Sequence, residues 1–172
     1  MNTLHSLREK LPSVIRWIEE TLTAFDEGAR PVSSFGFKRL PCFFSDKLLA
    51  TAKVVLVDKV PVPPLASLGL PEFAAFASGD YAGITFKDTY FLKASEANSE
   101  SLHFHELVHI VQWRELGVEN FLLRYAAGLA NHGYRNSPLE DLAYKLQAAF
   151  DQGEPPCDLE GRLAALLPNL PL

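Results

Sequence analysis

Apolar side chains recur at Leu4, Leu7, Leu11, Val14, Ile15, Ile18, Leu22 and Phe25, the spacing of one helical face. This predicts an amphipathic helix over the first 28 residues. Pro12 is expected in the first turn of its main part, where a proline is tolerated, with Gly28 as its stop. Residues 31–47 show no period and are interrupted by Gly36 and Pro41. Lys53–Val60 is rich in β-branched residues and predicts a strand. From Val60 to Pro71 the chain holds four prolines and is expected to be a loop. Gly83–Lys93 is a second strand signal, with Ile84, Phe86, Tyr90 and Leu92 on one parity. It is either a hairpin or one kinked strand.

Helical spacing then predicts helices from about Ser99 to Leu116, Val118 to Ala130 and Pro138 to Phe150, with a turn at Asn131–Asn136 and a short helix in the proline-bounded tail. The expectation is an α+β fold and one domain over residues 1–172. Residues 1–80 would contribute the N-terminal helix and part of a sheet. Strands near 53–60 and 83–93 would form a small sheet on the 99–116 helix, with the N-terminal helix over one side.

Composition narrows the function classes. Sixteen Lys and Arg against 21 Asp and Glu leave a net charge of −5, which argues against a general nucleic-acid binder. No apolar run approaches the roughly 18–20 residues of a membrane span, so no membrane association is expected. Charges stand where a secretory leader would be apolar. Cys42 and Cys157 form neither a disulfide framework nor a thiolate cluster, and Cys42 is expected to be a small buried residue. A reduced, cytoplasmic protein is expected, of oligomeric state the sequence leaves open.

His105-Glu106-Leu107-Val108-His109 is an HExxH motif. On a helix, positions i and i+4 lie one turn apart on one face, so both imidazoles can reach one ion, with Glu106 beside them. Phe104, Leu107, Val108 and Val111 occupy the opposite side of the wheel. The helix is therefore apolar all round and buried, and its buried polar groups need partners. The competing reading pairs the histidines with backbone carbonyls and Glu106 with Arg124 or Arg135.

A third ligand must come from elsewhere. The metzincin continuation is absent, because Gln112 and Glu115 stand where glycine and histidine are required. Glu115 points away and Glu119 follows the helix stop too closely. Glu140 opens a helix two helices downstream, and a helix–turn–helix return can bring it alongside. Ser137-Pro138-Leu139-Glu140 is also a complete capping box, which would turn Glu140 back onto the Ser137 N–H. Asp141 competes for the ligand role, although its phase points outward. His103 lies about 200° from His105 on the wheel and is expected at the surface or the helix start. His132 is a further ligand candidate, and His5 has no partner nearby.

His105–His109 together with Pro138–Tyr144, the Gln112-Trp113 pair and a hydrophobic strand just before the motif resemble the zincin metallopeptidases of gluzincin type. The resemblance covers about Gly83 to Phe150 and is to small bacterial zincin-like domains. It implies a zincin-like metal-binding core over 83–150, one Zn²⁺ held by His105, His109 and Glu140, and Glu106 as the general base for a zinc-activated water. It also implies a peptide or protein substrate paired with the edge of the 83–93 strand, and Tyr144 or Tyr134 as a donor to the tetrahedral intermediate. The Asn-Glu-x-x-Ser-Asp segment of thermolysin-like enzymes is absent. The alternative is a non-catalytic protein-binding module that keeps the fold; a third option is an effector peptidase acting on one partner protein.

Overall fold

Eleven consecutive residues, His103 to Trp113, are buried on every side of their helix, and the other elements are arranged around that rod. The computed structural model describes residues 3–170, with side chains from Ser6 onward. The side chains of Leu4 and His5, both named in the sequence pattern, lie outside the described residues. The chain is α+β. Helix α1 (Thr3–Phe25) is followed by β1 (Arg30–Pro31), α2 (Asp46–Thr51), β2 (Lys53–Val57), α3 (Ala74–Ala77), β3 (Gly83–Phe86) and β4 (Thr89–Lys93). Four helices complete it: α4 (Glu100–Leu116), α5 (Val118–His132), α6 (Pro138–Asp151) and α7 (Leu159–Leu166).

The four strands form one mixed sheet in the order β1-β2-β4-β3. β2 runs parallel to β4, with Lys53 opposite Thr89 and Val57 opposite Lys93. β3 and β4 are an antiparallel hairpin with Phe86 opposite Thr89. The two-residue loop Lys87-Asp88 places Lys87 at φ 58°, the left-handed conformation such a tight turn requires. The hairpin corrects the single-parity expectation. Thr85 and Tyr90 share a face, and Ile84 and Phe91 share the other, because the turn reverses the strand without preserving sequence parity. Phe91 and Phe86 face α1, through edge contacts to Phe25 at 5.3 Å and Trp17 at 5.7 Å. Thr85 and Tyr90 face α4, through bonds to Glu106 and His103.

The sheet thus lies between α1 and α4, and Tyr90, Phe91 and Leu92 are fully buried. Phe104, Leu107, Val108, Ile110 and Val111 on α4 are at most 3% exposed, each contributing about 1.5–3 kcal/mol of hydrophobic stabilisation. α4 starts at Ser99, whose hydroxyl accepts the Leu102 N–H, and ends at Gly117, with φ 74°.

Pro12 lies inside α1, not in its first turn, because the helix begins nine residues earlier. Pro12 and Arg8 are both exposed, so the carbonyl that loses its helical partner can turn to water. The short α2, which starts at the end of the region that shows no period and runs beyond it, is capped by the Ser45 hydroxyl on Leu48 N–H. Cys42 is exposed, contrary to expectation. No helix of the described residues is long and apolar enough to cross a membrane.

Candidate metal centre

Two elements build the centre. His105 and His109 project from one side of α4, and α5 turns the chain back so that α6 presents Glu140 to them. The two imidazole Nε2 atoms lie 3.1 Å apart. The Glu140 carboxylate straddles the pair, with Oε2 3.5 Å from His105 Nε2 and Oε1 3.4 Å from His109 Nε2. All three residues are buried, at 3%, 5% and 2% exposure. Glu140 makes no capping bond, and Ser137 caps nothing with its side chain. The capping-box alternative therefore gives way to the inward orientation. Asp141 turns outward onto Lys145 at 2.6 Å.

Residues around the triad fix its orientation. Gln112 Nε2 donates to Leu139 O at 3.0 Å. That carbonyl can only accept, so the carboxamide oxygen must face His109 Nδ1, 2.8 Å away. Nδ1 thereby carries a proton, and Nε2 is the nitrogen that faces the centre. On the other side, Tyr125 Oη donates to Glu140 Oε1 at 2.6 Å. Glu140 Oε2 and His105 Nδ1 are buried without a hydrogen-bond partner.

These features fit a divalent cation. Two nitrogens on one tetrahedral zinc, at a bond length of about 2.0 Å, lie about 3.3 Å apart, close to the spacing seen. One ligand atom from each of His105, His109 and Glu140 can be chosen so that all lie within 4.8 Å of one another. The orphaned carboxylate oxygen is the atom a cation would satisfy.

The electrostatics follow from the same packing. Burial opposes charge on His109, but the Glu140 and Glu106 carboxylates outweigh it and push its pKa up to about 9. Burial likewise works to raise Glu140, yet His109 and His105 hold it well below the usual carboxylate range. Glu106 behaves differently. Burial raises it above its ordinary value, and the two histidines and the Thr85 hydroxyl only partly offset this.

Glu106 belongs to the same pocket but faces the sheet. Thr85 Oγ1 donates to its Oε2 at 2.6 Å, and its Oε1 lies where a Cβ on Gly83 would stand. Glycine at 83 is what lets the strand approach this closely. Trp113 Nε1 donates to Thr85 O at 3.2 Å, which holds β3 against α4. Neither Arg124, bound to Leu170 O, nor Arg135, stacked over the Tyr144 ring at 3.6 Å, serves as the partner of Glu106.

Tyrosines ring the centre. The Tyr144 ring lies 4.5 Å from that of His105. Tyr134 packs 5.0 Å from Tyr81. Burial, with the Glu140 charge, pushes the Tyr81 phenol up to about 12 and raises Tyr125 and Tyr134 further, so all three remain protonated donors. A cavity of about 90 Å³ adjoins the triad, walled by α1, α5, β3 and the chain before β3.

His103 is fully buried at the start of α4, not at the surface. It bridges Tyr90 Oη, at 2.7 Å from Nδ1, and Ala97 O, at 3.0 Å from Nε2. Burial lowers its pKa to about 4. His132 is exposed at the end of α5, and Glu115 pairs with Arg114 at the surface. β4 is an inner strand, so of the 83–93 hairpin only β3 lies at a sheet edge, β1 being the other edge, and Trp113 donates to one of its carbonyls. Comparison of the chain with protein-family models, with curated proteins and with solved structures returned no match.

Proposed function

We propose that the chain is a zinc-dependent metallopeptidase with a zincin-like core, in which His105, His109 and Glu140 hold the metal and Glu106 is the general base. The observation that carries this reading is the donor set. Among the described residues three ligating residues converge, not four, and a carboxylate that is not one of them stands in the same pocket. Structural zinc sites are closed by four protein ligands, whereas catalytic sites keep one position open.

When bound, the ion supplies Lewis-acid activation of water and of the scissile carbonyl. The chain's own groups do the rest. Glu106 Oε1 takes the proton of the attacking water while Thr85 holds Oε2 in place, and then returns it to the leaving nitrogen. Its raised pKa suits both halves of that transfer. Tyr134 or Tyr144 donates to the developing oxyanion. The apolar walls exclude bulk water and strengthen these interactions.

A second reading, a non-catalytic module that retains the metal, draws on the burial of every site residue, 5% exposed at most. Digestion of an unfolded protein mixture by the zinc-loaded chain, followed by sequencing of new amino termini, separates the two. The peptidase generates termini that the Glu106→Gln protein, equally loaded with zinc, does not. Identical digests with equal zinc assign the site to binding.

A further inference from the structure

The chain between β2 and β3 lines the cavity that adjoins the metal centre, through Pro63, Leu65, Leu70, Phe73, Phe76 and Tyr81. Residues 61–81 carry four prolines, no strand and one short helix, α3. Among the described residues, every backbone hydrogen bond within 61–81 closes inside the segment. Leu65 N–H binds Pro63 O, Leu70 N–H binds Leu65 O, and Gly79 N–H binds Phe76 O. Tyr81 Oη also turns back, onto Phe76 O at 2.9 Å. Among the described residues, the segment's ties to the rest of the protein are apolar contacts and one surface ion pair, Lys93 Nζ to Asp80 Oδ1 at 2.8 Å. Lifting the segment therefore breaks no β-ladder and leaves no backbone group stripped of its partner.

Beneath the segment, Phe76 sits among Tyr81, Tyr125 and Tyr134, with ring centroids 5.2, 5.8 and 6.1 Å away. Tyr125 is the residue whose hydroxyl holds Glu140. Phe76 thus stands in the approach to the triad. Among the described residues the cavity wall contains no Lys, Arg or Asp, and its charged groups are the site's own histidines and glutamates.

We infer that residues 61–81 are a strap occupying the substrate groove of the metal centre, with Phe76 as its plug, and that an uncharged, apolar polypeptide segment replaces it. This inference rests on the metallopeptidase reading. Beyond the metal and its histidines, the wall holds no Lys or Arg to pair with an acidic side chain. A basic side chain would lose its hydration among aromatic rings without gaining a dedicated partner. The strap's own Leu-Gly-Leu-Pro-Glu-Phe-Ala-Ala-Phe run, residues 68–76, shows that apolar side chains fill this groove.

The test measures how fast the zinc-loaded full chain loses metal to excess EDTA. It also measures amide exchange over residues 65–79 with a Leu-Phe hydroxamate or an Asp-Asp hydroxamate added. Phe76→Ala is expected to release zinc at least about tenfold faster at unchanged stoichiometry, because local opening becomes easier. Leu163→Ala, in α7 and outside the pocket lining, releases it at the original rate. The Leu-Phe compound binds and accelerates exchange of 65–79, and the Asp-Asp compound does neither. Equal release from the original chain and Phe76→Ala, or hydroxamate binding that leaves 65–79 unchanged, overturns the strap while the metal reading stands. A chain that takes up no zinc fails at the stoichiometry, before any rate is measured, and both readings fall with it. If Phe76→Ala does not fold, exchange in the unaltered chain decides.

Discussion

The Gln112 carboxamide fixes the His109 ring by bonding in two directions, its oxygen 2.8 Å from His109 Nδ1 and its nitrogen 3.0 Å from Leu139 O. One side chain thus sets the tautomer of an α4 ligand and ties α4 to the first turn of α6, where Glu140 begins. Gln112→Leu is expected to weaken zinc binding by about 10–100-fold, measured by competition with a chromophoric chelator. Unchanged affinity would show that His109 needs no orienting partner.

Tyr125 plays the matching part for Glu140. Tyr125→Phe keeps the ring and its stacking on Phe121, 5.6 Å away, and removes only the hydroxyl that donates to Oε1. The expected result is a metal affinity lowered by roughly tenfold with thermal stability of the metal-free protein nearly unchanged. A large fall in that stability with intact zinc affinity would assign Tyr125 to packing.

Glu106→Gln is expected to retain stoichiometric zinc and to lose about 10²–10⁴-fold in hydrolytic rate. Thr85→Val, which leaves Glu106 Oε2 without its donor, lowers the rate by a smaller factor and also keeps the zinc. Zinc content and rate must be read on the same preparations, since loss of both together would make Glu106 part of the ligand set.

Away from the centre, Glu160 accepts from Ser45 N–H and from Arg114, each at 2.7 Å. Burial tends to raise its pKa, but these donors bring it below the ordinary value. A depressed folded pKa means the stabilisation is complete above the unfolded value, near 4.3, and disappears as pH falls through the folded one. Glu160→Gln is expected to cost about 1–2 kcal/mol at neutral pH and to shrink the loss of stability on acidification. Urea unfolding of the metal-free proteins at neutral and acidic pH measures both.

The legible part of this site is the part encoded at short range. His105 and His109 are four residues apart on a helix, so their shared face follows from helical geometry alone. The apolar residues on the opposite side of the wheel announce that the helix is buried. Glu140 was harder, because Ser137 and Glu140 also satisfy the capping-box pattern. The choice is made by the packing of α6 on α4, which no local spacing carries. Tyr125 was missed for the same reason: its apolar spacing in α5 marks it as core, and only the α5–α6 return shows its hydroxyl meeting Glu140. His103, about half a turn out of phase with His105, is buried against expectation because its partner Tyr90 comes from the sheet. Of the two readings of 83–93 the structure takes the hairpin, and its two-residue Lys87-Asp88 turn breaks the single parity of Ile84, Phe86, Tyr90 and Leu92. The strap's prolines marked a loop, but its position beside the centre is a property of the folded chain.

The most direct measurement is the zinc content of the purified chain after reconstitution at neutral pH, beside His109→Ala and Glu140→Ala. The account predicts close to one zinc per chain, no retained zinc in His109→Ala and sharply weakened retention in Glu140→Ala. A chain that binds no zinc, or that binds it equally well without His109 and Glu140, would contradict it.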